Sequence, residues 1–201
     1  MKVITVAHNR LQGHGRLRRL VVTAAVIAVV ILAPVAPTTP RGSAIALTSA
    51  DAIEIAQGIS ITPAPGWMLG NRGPNWVALN NADTSAQMRV TVKPAGGTDV
   101  VAVLQSDINQ FTGTASAILG NVKNLSAPDT KTPQSANFQQ QAFSDYTADV
   151  LTQQGTIPVI GTFSELLNTS NGRSAFIDFR QGSNATTQAA GDGGTMIDSM
   201  L

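Results

Sequence analysis

The hydrophobic period of this chain changes twice, and that order of periods admits few architectures. In QMRVTVKP (87–94), Met88, Val90 and Val92 alternate with Gln87, Arg89 and Thr91. Period 2 is the pattern of a strand with one face buried and the other wet. From Thr98 the apolar positions become Val101, Leu104, Ile108, Phe111, Ala115, Ile118, Leu119 and Val122, mostly in steps of three and four. That helical period predicts one helix over 98–122, capped by Thr98, with Asp99 suited to the positive end of its dipole. Alternation returns in 140–154, where Ala142, Ser144, Tyr146, Ala148 and Val150 share a side. It continues in 156–169 and 174–181, with Asn171-Gly172 as the turn between them.

The flanks fit the same plan. AIEIA (52–56) and ISIT (59–62) read as a hairpin around Gln57-Gly58, and NWVALNN (75–81) as a further strand. Residues 126–134 read as a loop. Met196, Ile197, Met200 and Leu201 form an apolar stripe on a short terminal helix, with Asp192 near its start. Strands joined by short turns make an antiparallel sheet, and the two helices cover it, so the fold class is α+β.

The beginning of the chain has another character. Lys2, Arg10, Arg16, Arg18 and Arg19 precede an uncharged apolar run, Leu20 to Ala33, followed by Pro34, Pro37, Pro40 and the small-residue site Ala44-Ile45-Ala46. A basic region, an apolar region and an A-x-A site together read as a secretory signal. Extended to Ala36 the run approaches the roughly 20 residues of a bilayer span, so an uncleaved signal anchor through residues 20–36 is the alternative. Either way the basic flank stays cytoplasmic and the remainder is exported. Residues 1–46 are thus a signal peptide or membrane anchor with a proline-rich linker, and 47–201 a single exported domain.

Setting this segment aside changes the charge. Six of the 13 Lys and Arg lie in 1–46 and none of the 12 Asp and Glu do, which leaves the remainder at −5. Scattered charge of that sign excludes nucleic acid as a partner, because such binding needs a basic patch. Both histidines, His8 and His14, precede the apolar run, and the chain has no cysteine. Ser-His-Asp and Cys-His catalysis and the usual zinc sites therefore have no residues to use. Disulfides are excluded as well, so the core alone must hold the domain. No cofactor and no metal is expected.

One further pattern spans most of the exported part. A strand ending in the P-x-P-G-W turn (Ile59, Ile61, Pro63, Pro65, Gly66, Trp67) is followed by a long helix. IPVIG (157–161) lies in the later strands, and IDSML (197–201) ends the chain. Together these resemble the Mog1/PsbP-like fold, an antiparallel sheet sandwiched by helices, over about 50–201. More narrowly they resemble exported actinobacterial proteins related to the mycobacterial LpqN/LpqT lipoprotein group, although this chain lacks their lipidation cysteine. The resemblance implies a non-enzymatic binding or accessory role, with a protein or an envelope ligand as partner.

The candidate site residues are Trp76, Arg72, Asn71 and Trp67. Trp76 ends the stretch GNRGPNW, whose glycines and asparagines suggest a loop lining a ligand cleft beside Arg72. Trp76 reads equally well as an edge-strand core residue. Trp67 either plugs the end of the sheet over the long helix or joins that site. Tyr146 faces the core with its hydroxyl near the surface. The rival function is a carboxylate-based hydrolase of envelope carbohydrate, using acids from Asp145, Asp149, Glu165 and Asp178; a purely structural envelope component is a third. An open cleft at Trp76 and Arg72 would favour binding. Two close buried carboxylates in a pocket would favour the hydrolase.

Overall fold

The computed structural model describes residues 45–46, 51–114 and 119–201. The leader and its apolar run, 20–36, lie outside the described residues. Among those described, no helix is long and apolar enough to cross a membrane.

The chain runs through β1 (Ile45–Ala46), β2 (Ile53–Ala56), β3 (Ile59–Ile61), β4 (Trp67–Gly73), β5 (Trp76–Asn81) and β6 (Ala86–Pro94). Helix α1 (Val100–Gly113) follows, then β7 (Leu119–Lys123), β8 (Asp129–Lys131), β9 (Gln140–Thr152), β10 (Gly155–Asn168), β11 (Arg173–Gly182) and α2 (Thr187–Asp198). All pairings of the large sheet are antiparallel, in the order β1-β4-β5-β6-β11-β10-β9-β7, with β8 also on β9. The β2–β3 hairpin stands apart as its own two-stranded sheet. Its turn residues Gln57 and Gly58 both take positive φ, 53° and 76°, the geometry of a tight two-residue hairpin turn.

Strand alternation divides the core in two. Val77, Leu79, Met88, Val90, Val92, Ala175 and Ile177 face one side, where the β2–β3 hairpin and α2 cover them. Ala142, Tyr146, Phe163, Leu167 and Phe176 face the other side, under α1. The expected antiparallel sheet between helices is what the chain forms, with the hairpin sharing one layer with α2.

Three expectations need correction. The long helix ends at Gly113, not near Val122, and its cap is Asp99, whose side chain accepts from the Val101 amide. Leu119 and Val122 lie on β7, where the register with β9 shifts between Gly120 and Lys123 and Asn121 takes φ +50°. This bulge puts Leu119 and Val122, three residues apart, against one core cluster, imitating a helical step. Within the expected loop at 126–134, Asp129–Lys131 is a short exposed strand on β9. Third, α2 begins at Thr187, so Asp192 sits in mid-helix and the glycines are interior to it. Ile45 and Ala46 pair as β1 with Leu69 and Met68.

Candidate functional site

The antiparallel register lines up rows of side chains on the α1 face. One row is Trp76, Thr91, Phe176, Glu165 and Ala142; the next is Ala78, Arg89, Asp178, Phe163 and Ser144. Another is Asn80, Gln87, Arg180, Gly161 and Tyr146, and Lys93 sits opposite Ser174. Helix α1 lies over β9 and β10. The polar half of the face, on β5, β6 and β11, is left as a cleft of about 490 Å3, walled by Asp107, Gln110 and Phe111 of the helix. The wet side of the 87–94 strand is therefore the floor of a concavity.

Of the four residues singled out from sequence, the cleft brings together Trp76 and Asn71. GNRGPNW is no open loop: Gly70 to Gly73 complete β4, and a tight turn leads into Trp76. Arg72 does not join them. It pairs with Val77, which faces the other side of the sheet, and its guanidinium reaches the Glu54 carbonyl at 3.3 Å. Trp67 is core, 1 % exposed. It packs on Phe179 with ring centroids 6.3 Å apart and donates from Nε1 to Asp192 of α2 at 2.9 Å. It lies beneath the terminal helix and not the long one, with no surface to offer a ligand.

Trp76 is held by Arg89 and by the backbone of Gly73. Arg89 lies over its ring, 4.4 Å from the centroid. On Gly73 a Cβ would stand 2.2 Å from the indole nitrogen, so only glycine lets the ring pack there. The guanidinium gains from the ring quadrupole, and the pair forms a fixed, half-buried cationic element at the cleft wall. Sequence reasoning passed over Arg89, Lys93, Asp107 and Arg180. The available signal was the run of charged and amide residues at 87, 89, 178 and 180, which antiparallel pairing sets side by side.

The other charges are tied in pairs. Lys93 bonds Asp107, and Arg180 bonds Asp178 at 3.2 Å and also Gln87. Asp178 is sealed from water and accepts the Tyr146 hydroxyl. Burial pushes its carboxyl up, against the pull of Arg180, Tyr146 and Arg89. Burial and then the charge of Asp178 raise the Tyr146 phenol far beyond its ordinary range, so it remains a donor.

Glu165 is 0 % exposed, with neither oxygen paired as an acceptor, and Asp107 also has a buried unpaired oxygen. Burial foremost, then Asp107, push Glu165 up to about 9. The neutral acid resolves the conflict, because a protonated Glu165 removes the like charge beside Asp107. Asp107 meets the cleft, but Glu165 is not among the cleft residues. Asp145 and Asp149 lie on the outer side of β9, bonded to Thr162 and Asn121.

No family model and no curated protein matches this chain. Solved structures do. The Ran-binding protein Mog1p of Saccharomyces cerevisiae matches with a TM-score of 0.50 and 11% identity, over 75% of this chain and 91% of that one. Cyanobacterial PsbP from Synechocystis sp. PCC 6803 matches with a TM-score of 0.46 and 12% identity, over 71% and 85%. The likeness to Mog1p shows the fold.

Proposed function

We propose that this chain is a non-catalytic binding or accessory protein that engages its partner at the cleft between α1 and strands β5, β6 and β11. One observation carries the reading: Arg89 fixed on Trp76 in an open concavity. A cleft of a few hundred Å3 with an apolar wall and a few fixed polar groups is the usual form of a ligand site. The yeast protein of the same fold binds Ran, which agrees with a binding role and transfers no partner.

The hydrolase reading draws less support. Its two carboxylates must both reach substrate across a gap; Asp107 and Asp178 do line the cleft, but Lys93 and Arg180 engage them, and Glu165 is not among the cleft residues. Arg89 also covers one face of Trp76, which takes that face from any sugar that would stack there. The basic and apolar leader supports export, with the domain secreted or held at the outer face of the cytoplasmic membrane. In this reading the domain serves the envelope of an actinobacterium, as a relative of the LpqN/LpqT group.

The test is a photo-crosslinking residue at Gln110, on the cleft, beside one at Gln153 on the β9–β10 tip, in the cell the chain comes from. Fractionation and N-terminal sequencing of the same sample report export. The expected result is a discrete product from position 110, lost in R89A and absent from position 153. Equal products from both positions, or none from 110 together with no co-purifying ligand mass, would overturn the reading.

A further inference from the structure

The charge and bonding of the cleft specify more than a generic partner. Resting on the binding reading above, we propose that the cleft takes a ligand with one carboxylate, gripped by Arg89, whose apolar body lies along Phe111 and Phe176. An arginine carries five donors in a rigid fork that matches a carboxylate. Those of Arg89 meet no hydrogen-bond acceptor among the described residues; its guanidinium lies over the Trp76 ring and within electrostatic reach of Asp178. No Arg89 nitrogen is among the buried unpaired polar atoms, so the fork opens on the cleft, and an incoming carboxylate would replace water there with charge-assisted bonds. The stack on Trp76 holds the fork in one orientation beforehand, which lowers the ordering cost of binding.

Charge balance selects the class of anion. Lys93 is engaged by Asp107, and Arg180 by Asp178 and Gln87. Three cations against two carboxylates leave one positive charge, that of Arg89. A carboxylate brings one negative charge. A phosphate monoester brings about 1.5 to 2 and would meet Asp107 and Asp178 with no second free cation. Phe111 and Phe176 in the lining suit a hydrocarbon body better than water or a sugar. The ligand could be a free organic acid or the carboxyl end of a peptide, which share this chemistry.

The experiment uses the 15N-labelled full chain in neutral detergent and follows the side-chain Nε–Hε resonances of its arginines. The probes are hexanoate, N-acetyl-leucine, N-acetyl-leucinamide and inorganic phosphate. Hexanoate or N-acetyl-leucine should shift the Arg89 resonance saturably, while the amide and phosphate bind at least tenfold more weakly. The tighter of the two acids assigns the source, metabolite or chain end. R89Q should raise Kd at least tenfold, and R72Q should leave it unchanged. The wild-type shift is itself diagnostic if R89Q folds poorly. No saturable shift with either acid, equal binding of acid and amide, or phosphate binding as tightly as the acids overturns the assignment. If that happens while Gln110 still captures a partner, the cleft stands as a binding site and the carboxylate alone is wrong.

Discussion

The Tyr146 hydroxyl donates to Asp178 from two strands away, and it does so over Gly161 of β10, which pairs with Tyr146 on one side and Arg180 on the other. A Cβ at Gly161 would lie 2.5 Å from Tyr146 Cζ and 2.5 Å from the Phe179 carbonyl oxygen. The tyrosine ring stacks on Phe163 with centroids 4.1 Å apart. A missing side chain thus makes the space in which a buried carboxylate gains its donor.

Y146F keeps the stack and removes the donor. The buried Asp178 is left with Arg180 alone, a loss of about 1–3 kcal/mol. G161A forces a methyl against a backbone oxygen that cannot swing away, at a further cost of about 1–3 kcal/mol. The double variant should gain no rescue, because the clash with Phe179 persists without the tyrosine hydroxyl. Urea midpoints check this; a G161A protein as stable as wild type would disprove the account.

Glu165 makes stability depend on pH in a direction opposite to that of a salt-bridged acid. Its ordinary value is 4.5 and its folded value about 9. Between these the unfolded chain has released the proton and the folded one keeps it. The stabilisation is therefore complete below about 4.5, declines as pH rises, and is gone above about 9. The slope is of order 1 kcal/mol per pH unit inside that window. E165Q stays neutral, so it should flatten this part of the profile and be the more stable protein at pH 8. Thermal melts of both proteins at pH 5 and pH 8 decide it. Parallel profiles would show that Glu165 does not hold its proton.

The sheet was legible because alternation survives wherever one face is buried, as at Met88, Val90 and Val92. The end of α1 at Gly113 was not, because the bulge at Asn121 spaces Leu119 and Val122 as a helix would. Half of the site was legible in the same sense. Trp76 and Asn71 fall where composition pointed, yet Arg72 turns to the opposite face because it pairs with Val77. Arg89 reads as a residue of a wet strand face. Only the sideways placement of α1, over β9 and β10, makes that wet face a cleft, and such placement leaves no local mark in sequence.

Trp67 answers a question posed by the P-x-P-G-W turn. Gly66 takes φ +82°, which lets the chain turn and send the indole under α2. Its N–H is buried and meets Asp192. D192A should cost about 1–3 kcal/mol, the penalty of an unpartnered buried donor. D192N, which keeps an oxygen acceptor there, should cost much less. Urea midpoints for the two variants test this; equal losses would mean that the indole bond contributes nothing and that helix effects dominate.

The three interior glycines of α2 should respond to alanine with opposite signs. Glycine in a helix is disfavoured by about 1 kcal/mol relative to alanine. At Gly191 and Gly194 a Cβ meets nothing within 4 Å, so G191A and G194A should each stabilise by about 0.5–1 kcal/mol. At Gly193 the Cβ would stand 2.8 Å from Phe179 Cε2. That ring is wedged against Trp67, so yielding to a methyl would disturb the Trp67–Asp192 contact as well. G193A should therefore lose stability, by about 1–3 kcal/mol of overpacking offset in part by the propensity gain. Melting temperatures of the three variants suffice as the measurement. A rise in all three would mean that α2 is not seated on Phe179 in the way described, and would weaken the role given to Trp67 with it.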